Sequence, residues 1–134
     1  MSTHKPILIV DDDHVYKLVM RRMIHLCCSS AEIIMASNGL EAMSLLQPAL
    51  PGVPLRMPDI ILLDIEMPEM NGWGFLNAFL CLPPETTRNT DIYIVSSSID
   101  EVDHEKSRIY TAVKDLLIKP LSAGKLNYVL NKGS

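Results

Sequence analysis

Four short apolar runs in this chain each stop at a polar side chain that could do chemistry. Asp11, Asp12 and Asp13 follow Ile7-Leu8-Ile9-Val10, Asp64 follows Asp59-Ile60-Ile61-Leu62-Leu63, Ser96 follows Ile92-Tyr93-Ile94-Val95, and Lys119 follows Asp115-Leu116-Leu117-Ile118. Three or four carboxylates brought within a few ångströms repel one another, so such a cluster needs a cation or raised pKa values. An oxygen-only donor set without histidine or cysteine points to a hard cation, Mg²⁺ or Mn²⁺. A lysine and a serine hydroxyl beside it could neutralise and hydrogen-bond the oxygens of a phosphoryl group. An aspartate can itself take such a group covalently.

These residues can meet only if the apolar runs are neighbouring strands. The first run lacks polar alternation, as expected of a strand buried on both faces of a parallel sheet. A helix is expected over about Asp13 to Cys28, with Val15, Leu18, Val19, Met23 and Leu26 on one face. Glu32–Ala36 reads as a second strand and Leu40–Leu46 as a helix after Asn38-Gly39. Asp59–Leu63 is the third strand, followed by a helix from Trp73 to about Leu82 that Pro83-Pro84 ends. Ile92–Val95 is the fourth strand, a polar helix runs from about Asp100 to Thr111, and Asp115–Ile118 is the fifth strand. Ser122 is the expected N-cap of a last helix to about Asn131.

Five strand–helix units predict an α/β fold, an open doubly wound parallel sheet with right-handed crossovers. In strand order 2-1-3-4-5 the first and third strands are neighbours at the switch point. Asp11, Asp12 and Asp64 would then converge at the carboxyl edge, where such sheets bind ligands. The segment Gln47–Pro58, with four prolines, reads as a long loop within one domain, because the residues before it are too few for a separate core.

Composition excludes several alternatives. With 134 residues, 48% hydrophobic, 21% charged and a net charge of −4, the chain has the balance of one globular domain and no basic face for nucleic acid. No run approaches a membrane span or a signal peptide, so a cytoplasmic location is expected. Cys27, Cys28 and Cys81 lack metal-ligand spacing and are expected to be buried or half-buried thiols, and His4, His14, His25 and His104 are dispersed.

At Ile9-Val10-Asp11-Asp12-Asp13, Leu63-Asp64-Ile65-Glu66-Met67-Pro68-Glu69-Met70-Asn71-Gly72, Ser96 and Lys119-Pro120, the chain resembles the receiver domain of two-component response regulators. The likeness spans nearly the whole chain, and the Leu63–Gly72 stretch is its most specific part. It implies a flavodoxin-like (βα)₅ fold over residues 1–134, a single receiver domain without an output domain. It also implies a signalling module rather than an enzyme, one that assists its own phosphorylation and dephosphorylation. Asp64 matches the phosphoacceptor. Asp12 would touch Mg²⁺ directly and Asp11 through water, with Asp64 and the backbone carbonyl of Glu66 as further ligands. Ser96 matches the switch hydroxyl and Lys119 the lysine that pairs with the phosphoryl group, while the amides of Ile65 and Ser97 would face its oxygens. Lys119-Pro120 would be a cis peptide, and Asp13 would cap the first long helix.

The implied partners are a sensor histidine kinase or histidine phosphotransfer protein and an unidentified output protein, with no nucleic acid and no membrane. The surface of the fourth helix, fifth strand and fifth helix would carry the switch, in a monomer or weak homodimer. Glu66 and Ser98 stand where they would influence hydrolysis. Two departures stand out: Leu116 occupies the position of the usual switch aromatic, and Gln47–Pro58 and Pro83–Asp91 are long. A haloacid-dehalogenase-like phosphatase also uses an aspartate nucleophile with Mg²⁺. Its second aspartate, two residues after the first, is replaced here by Glu66.

Overall fold

The computed structural model describes residues 6–46 and 57–131; ten residues of the proline-rich loop, 47–56, lie outside them, as does His4. In chain order the elements are β1 (Pro6–Val10), α1 (His14–Cys27), β2 (Glu32–Ala36), α2 (Gly39–Leu45), β3 (Ile60–Leu63) and α3 (Gly72–Leu80). They continue with α4 (Pro84–Thr87), β4 (Asp91–Ser96), α5 (Glu101–Ser107), β5 (Val113–Ile118) and α6 (Ala123–Asn131). The strands form one parallel sheet in the order β2-β1-β3-β4-β5, as expected.

The sheet is central because β1 and β3 are apolar at every position and bury every residue. Their side chains alternate between two cores. Leu8, Val10, Ile61 and Leu63 face α2 and α3 and pack with Phe75, Leu76 and Phe79. Ile7, Ile9, Ile60 and Leu62 face α1 and α6 and pack with Met20, Ile24, Leu126 and Val129. Continuous apolar strands thus serve two faces at a period of two, which is why they show no polar alternation.

The inward face of α1 differs from the expectation. Val15, Leu18, Val19 and Leu26 are 68%, 44%, 52% and 81% exposed. The helix instead turns Lys17, Met20 and Ile24 inward, with Tyr16 and Met23 packed beside them. The Asp13 carboxylate accepts from Tyr16 N at 3.0 Å and sets the start of the helix. The aliphatic residues form a stripe at helical spacing, but so do Met20 and Ile24. Lys17 hid the second stripe in the sequence. Its stem lies among apolar groups while its Nζ donates to Ala36 O at 3.3 Å and Ser37 Oγ at 2.9 Å. Cys27, the last residue of α1, is exposed, as is Cys81 at the end of α3; only Cys28 is half-buried.

Two helix ends differ, and one helix is added. Helix α5 stops at Ser107 instead of continuing to Thr111, and the chain then turns Tyr110 into the core. Helix α3 stops at Leu80, and Pro83-Pro84 does more than end it: Pro84 opens the extra helix α4, where a missing amide proton costs nothing. Among the described residues no helix is long and apolar enough to cross a membrane.

Gly72, at the start of α3, lies against the strand end that carries Asp64. A Cβ there would come within 2.5 Å of Asp64 O and 2.9 Å of Ile65 Cα, backbone atoms that cannot swing away. Gly72→Ala is expected to cost about 1–3 kcal/mol, as overpacking does. Urea unfolding measures it; a midpoint unchanged from the parent chain would contradict the close approach.

Candidate functional site

Parallel register places the acidic residues at one height. Val10 lies opposite Ala36 on one side and Leu63 on the other. The ladder then extends one step beyond the strands: Asp11 N donates to Ala36 O at 3.0 Å, Asp64 N to Val10 O at 2.9 Å, and Lys119 N to Ser96 O at 2.9 Å. Each functional residue therefore begins its loop from a fixed backbone position. Carboxylate oxygens of Asp11, Asp12 and Asp64 lie within 4.8 Å of one another. Asp11 and Asp64 are buried, 2% and 7% exposed, and Asp12 is exposed.

Lys119 reaches into this cluster. Its Nζ lies 2.6 Å from Asp11 Oδ2 and 3.8 Å from Asp64 Oδ2. The other oxygen of Asp11 accepts from Asp13 N at 2.9 Å. Asp11 is thus satisfied on both sides, and Asp64 has the weaker share of the lysine. Burial, then the Asp11 charge, push the Asp64 carboxyl up to about 6, against the opposing pull of Lys119 and a hydrogen bond from the Ile65 backbone. The aspartates and the lysine together carry more negative than positive charge, all the negative donors are hard oxygens, and one carboxylate is held at a cost. That set fits a hard divalent cation.

The loop after Asp64 is held in shape by its own bonds. Gly72 N donates to Ile65 O at 2.8 Å, Gly39 N to Met70 O at 2.9 Å, and Asn71 caps α3 by accepting from Gly74 N at 2.9 Å. Glu69 takes a φ of 68° to make the turn. Glu66 is exposed on this loop and shares a cleft of about 200 Å³ with Ile65, Ser98, Asp100 and Asp103. Ser96 is buried at the end of β4 and engaged within its own loop: its Oγ donates to Ser98 O at 3.3 Å, and Ser98 N approaches it at 3.5 Å. Lys119-Pro120 is cis. Leu116 is half-buried and packs against the α2–α3 core.

One residue beside the cluster is not among those singled out by the sequence. Tyr16, in the first turn of α1, places its ring under the Lys119 ammonium, 4.3 Å from Nζ to the ring centroid. Its hydroxyl is buried, and burial, followed by the charges of Asp11 and Asp64, push the phenol far above its usual range. Attention to aliphatic spacing passes over an aromatic four residues after Asp12.

The model of the response regulator receiver domain matches residues 7–131 of the chain. The transcriptional regulatory protein HptR of Staphylococcus aureus (strain N315) is 28% identical over 131 residues, 94% of this chain. The chain spans about half the length of such curated relatives, 45% of HptR. A two-component response regulator from Cytophaga hutchinsonii has a crystal structure that superposes with a TM-score of 0.84 at 29% identity, over 98% of this chain and 97% of that one. One from Legionella pneumophila gives 0.80 at 26% identity, over 94% and 95%.

The raised Asp64 pKa makes stability depend on pH in the absence of metal. The folded chain holds this proton more tightly than the unfolded chain does. The resulting stabilisation is full below the unfolded pKa of about 3.8 and is lost as pH rises through about 6. Across that window the loss amounts to at most about 3 kcal/mol. Urea midpoints in chelator from pH 4.5 to 7.5 should therefore fall more steeply for the parent than for Asp64→Asn. Parallel profiles would show that Asp64 is not held in this way.

Proposed function

The chain belongs to the response regulator receiver domain family, and from that premise we propose that Asp64 accepts a phosphoryl group from a phosphohistidine donor. The observation that carries this reading is the buried Asp64 carboxyl set between two acidic neighbours and Lys119 at the carboxyl edge of the sheet. In the transfer an Asp64 carboxylate oxygen bonds to phosphorus as the phosphorus–nitrogen bond of the donor breaks, and the electron pair leaves with the imidazole. Asp64 must be ionised to attack, and in the metal-free chain burial raises its carboxyl to about 6. Lys119, already within 3.8 Å, supplies positive charge to the incoming oxygens without a large movement.

Asp11, Asp12 and Asp64, with the backbone carbonyl of Glu66, would hold Mg²⁺; Mn²⁺ shares the same donor preference. When bound, the cation neutralises oxygens of both the acceptor and the transferring group. Ser96 is proposed as the hydroxyl that turns toward the phosphoryl group. Glu66 and Ser98, which line the same cleft, would influence the attacking water in hydrolysis. In this reading the chain promotes its own phosphorylation and dephosphorylation and turns over no separate substrate.

The phosphoryl donor is a sensor histidine kinase or a histidine phosphotransfer protein. The output is a protein contact made by α5, β5 and α6, the surface expected above as fourth helix, fifth strand and fifth helix before α4 was counted. We assign no direct DNA contact to this domain, in keeping with its net charge of −4. The work takes place in the cytoplasm, by a single receiver domain that is a monomer or weak homodimer.

Leu116 leaves the usual aromatic position without a ring, yet α5 is still tied to aromatic groups. Trp73 of α3 stacks on Tyr110 at 5.9 Å between centroids, and Lys106 of α5 stands 5.0 Å above the Trp73 ring. The Tyr110 hydroxyl donates to Asn77 Oδ1 at 2.8 Å. A shift of α5 would disturb the contact of Lys106 with the Trp73 ring directly.

Acetyl phosphate with Mg²⁺ should label the parent chain, and chelator should reduce the label to background. Asp64→Asn should also reduce it to background; undiminished labelling of that variant would exclude Asp64 as the acceptor. Trp73 is the sole tryptophan, so its emission reports on α5 directly. Beryllofluoride with Mg²⁺ should change it in the parent but not in Asp64→Asn. Identical spectra with and without beryllofluoride would rule out coupling of the site to α5 through this contact.

A further inference from the structure

We propose that the Tyr16 ring is a positioning element for Lys119, a seat that holds the ammonium against the acidic cluster so that it is in place when Asp64 is phosphorylated. This rests on the phosphoacceptor reading and extends it to a residue outside the acidic, hydroxyl and lysine set.

Three groups surround the ammonium. Asp11 Oδ2 lies at 2.6 Å, Asp64 Oδ2 at 3.8 Å, and the Tyr16 ring centroid at 4.3 Å. The side chain of Lys119 is only 17% exposed, so the attraction between cation and ring is little diluted by water. A lysine stem is long and flexible, and without a third contact its ammonium could rotate about the Asp11 pair and leave Asp64. The ring closes that side. It is itself fixed: Tyr16 N donates to the capping carboxylate of Asp13 at 3.0 Å, and the side chain packs against the α1–α6 core. The loop carrying Asp11 and the first turn of α1 therefore deliver two of the three partners of Lys119 from one short stretch, residues 11–16.

An aliphatic side chain here would fill the space and leave the ammonium without the ring's negative face. The expected loss follows from the strength of such contacts, about threefold to thirtyfold in the rate of phosphorylation. The hydroxyl has no part in the seat, so phenylalanine should serve as well as tyrosine.

The test uses the full chain and three substitutions, Tyr16→Leu, Tyr16→Phe and Lys119→Ala, with the single and double variants measured by acetyl-phosphate labelling in saturating Mg²⁺. Tyr16→Leu should slow labelling, and Tyr16→Phe should restore the rate that leucine loses. In the Lys119→Ala background the change from Tyr16 to leucine should have no further effect, since nothing remains to be seated. A leucine variant as fast as the parent, a phenylalanine variant as slow as leucine, or an equal loss without Lys119 would each overturn the proposal. A second measurement does not depend on phosphorylation. In proton–carbon spectra of the metal-free chain, the Lys119 ε-methylene should be shifted upfield by the ring in the parent and in Tyr16→Phe, and not in Tyr16→Leu. Its absence in the parent would overturn the seat even if labelling of Asp64 succeeded. Its presence with no labelling of the parent would leave the seat standing and sink the phosphoacceptor reading instead.

Discussion

The repulsion between Asp11 and Asp64 is the constraint around which the site is built. Parallel pairing of β1 with β3 forces it, because Val10 and Leu63 are register partners and the next residue on each strand is an aspartate. Two unit charges about 4 Å apart interact by about 4 kcal/mol at an effective dielectric of 20. That is a large fraction of the stability of a domain this size. Three features offset it: the Lys119 ammonium, the Asp13 amide on Asp11, and partial protonation of Asp64, whose carboxyl is raised to about 6. Lys119 sides with Asp11, the more buried of the two, and Asp64 remains the carboxylate with unmet demand. In the proposed function Asp64 would accept an electrophile, and of these two carboxylates it is the one less committed to its neighbours.

The surrounding backbone keeps this arrangement from relaxing. Asp11, Asp64 and Lys119 each donate a main-chain hydrogen bond to the neighbouring strand, so the loops cannot carry the charges apart. The β3–α3 loop is closed by Gly72 against Ile65 and pinned to α2 through Gly39 and Met70. On the far side the ring of Tyr16 blocks the retreat of the lysine. Sheet, loop and first helix thus contribute one restraint each, and the apolar runs of β1 and β3 provide the burial that makes the charges costly.

Much of this could be read from residue types and order. Given the strand order 2-1-3-4-5, the convergence of Asp11, Asp12 and Asp64 followed from where each polar residue terminates an apolar run, because parallel sheets expose one edge to ligands. The inward face of α1 could not be read in the same way. Two stripes share helical spacing, and a buried lysine interrupts the true one. The helix at Pro84 was hidden because proline both ends and begins helices. Tyr16 was hidden for a different reason. Its importance lies in a contact between residues about a hundred positions apart, which exists only after α1 and the β5–α6 loop have met beside the sheet.

The proposed function would require Ser96 to leave the position it holds. Its hydroxyl has two partners, both from Ser98 and both long, at 3.3 and 3.5 Å. Neutral hydrogen bonds contribute about 0.5–1.5 kcal/mol net even at good geometry, and these fall at or beyond the weak end. A bond to an ionised phosphoryl oxygen would be worth about 1.5–3 kcal/mol. A phosphorylated Asp64 would carry close to two negative charges in a pocket where a single lysine is already shared with Asp11. The balance therefore favours turning the hydroxyl inward, and the loop from Ser96 to Ser98 must follow, since the bonds that shape it are the ones released. That loop leads into α5, whose N-terminus is held by the reciprocal bonds of Asp100 and Asp103. In the proposed function a movement begun at Ser96 would thus arrive at a capped helix and displace it as a unit. Such a route needs no aromatic side chain at Leu116.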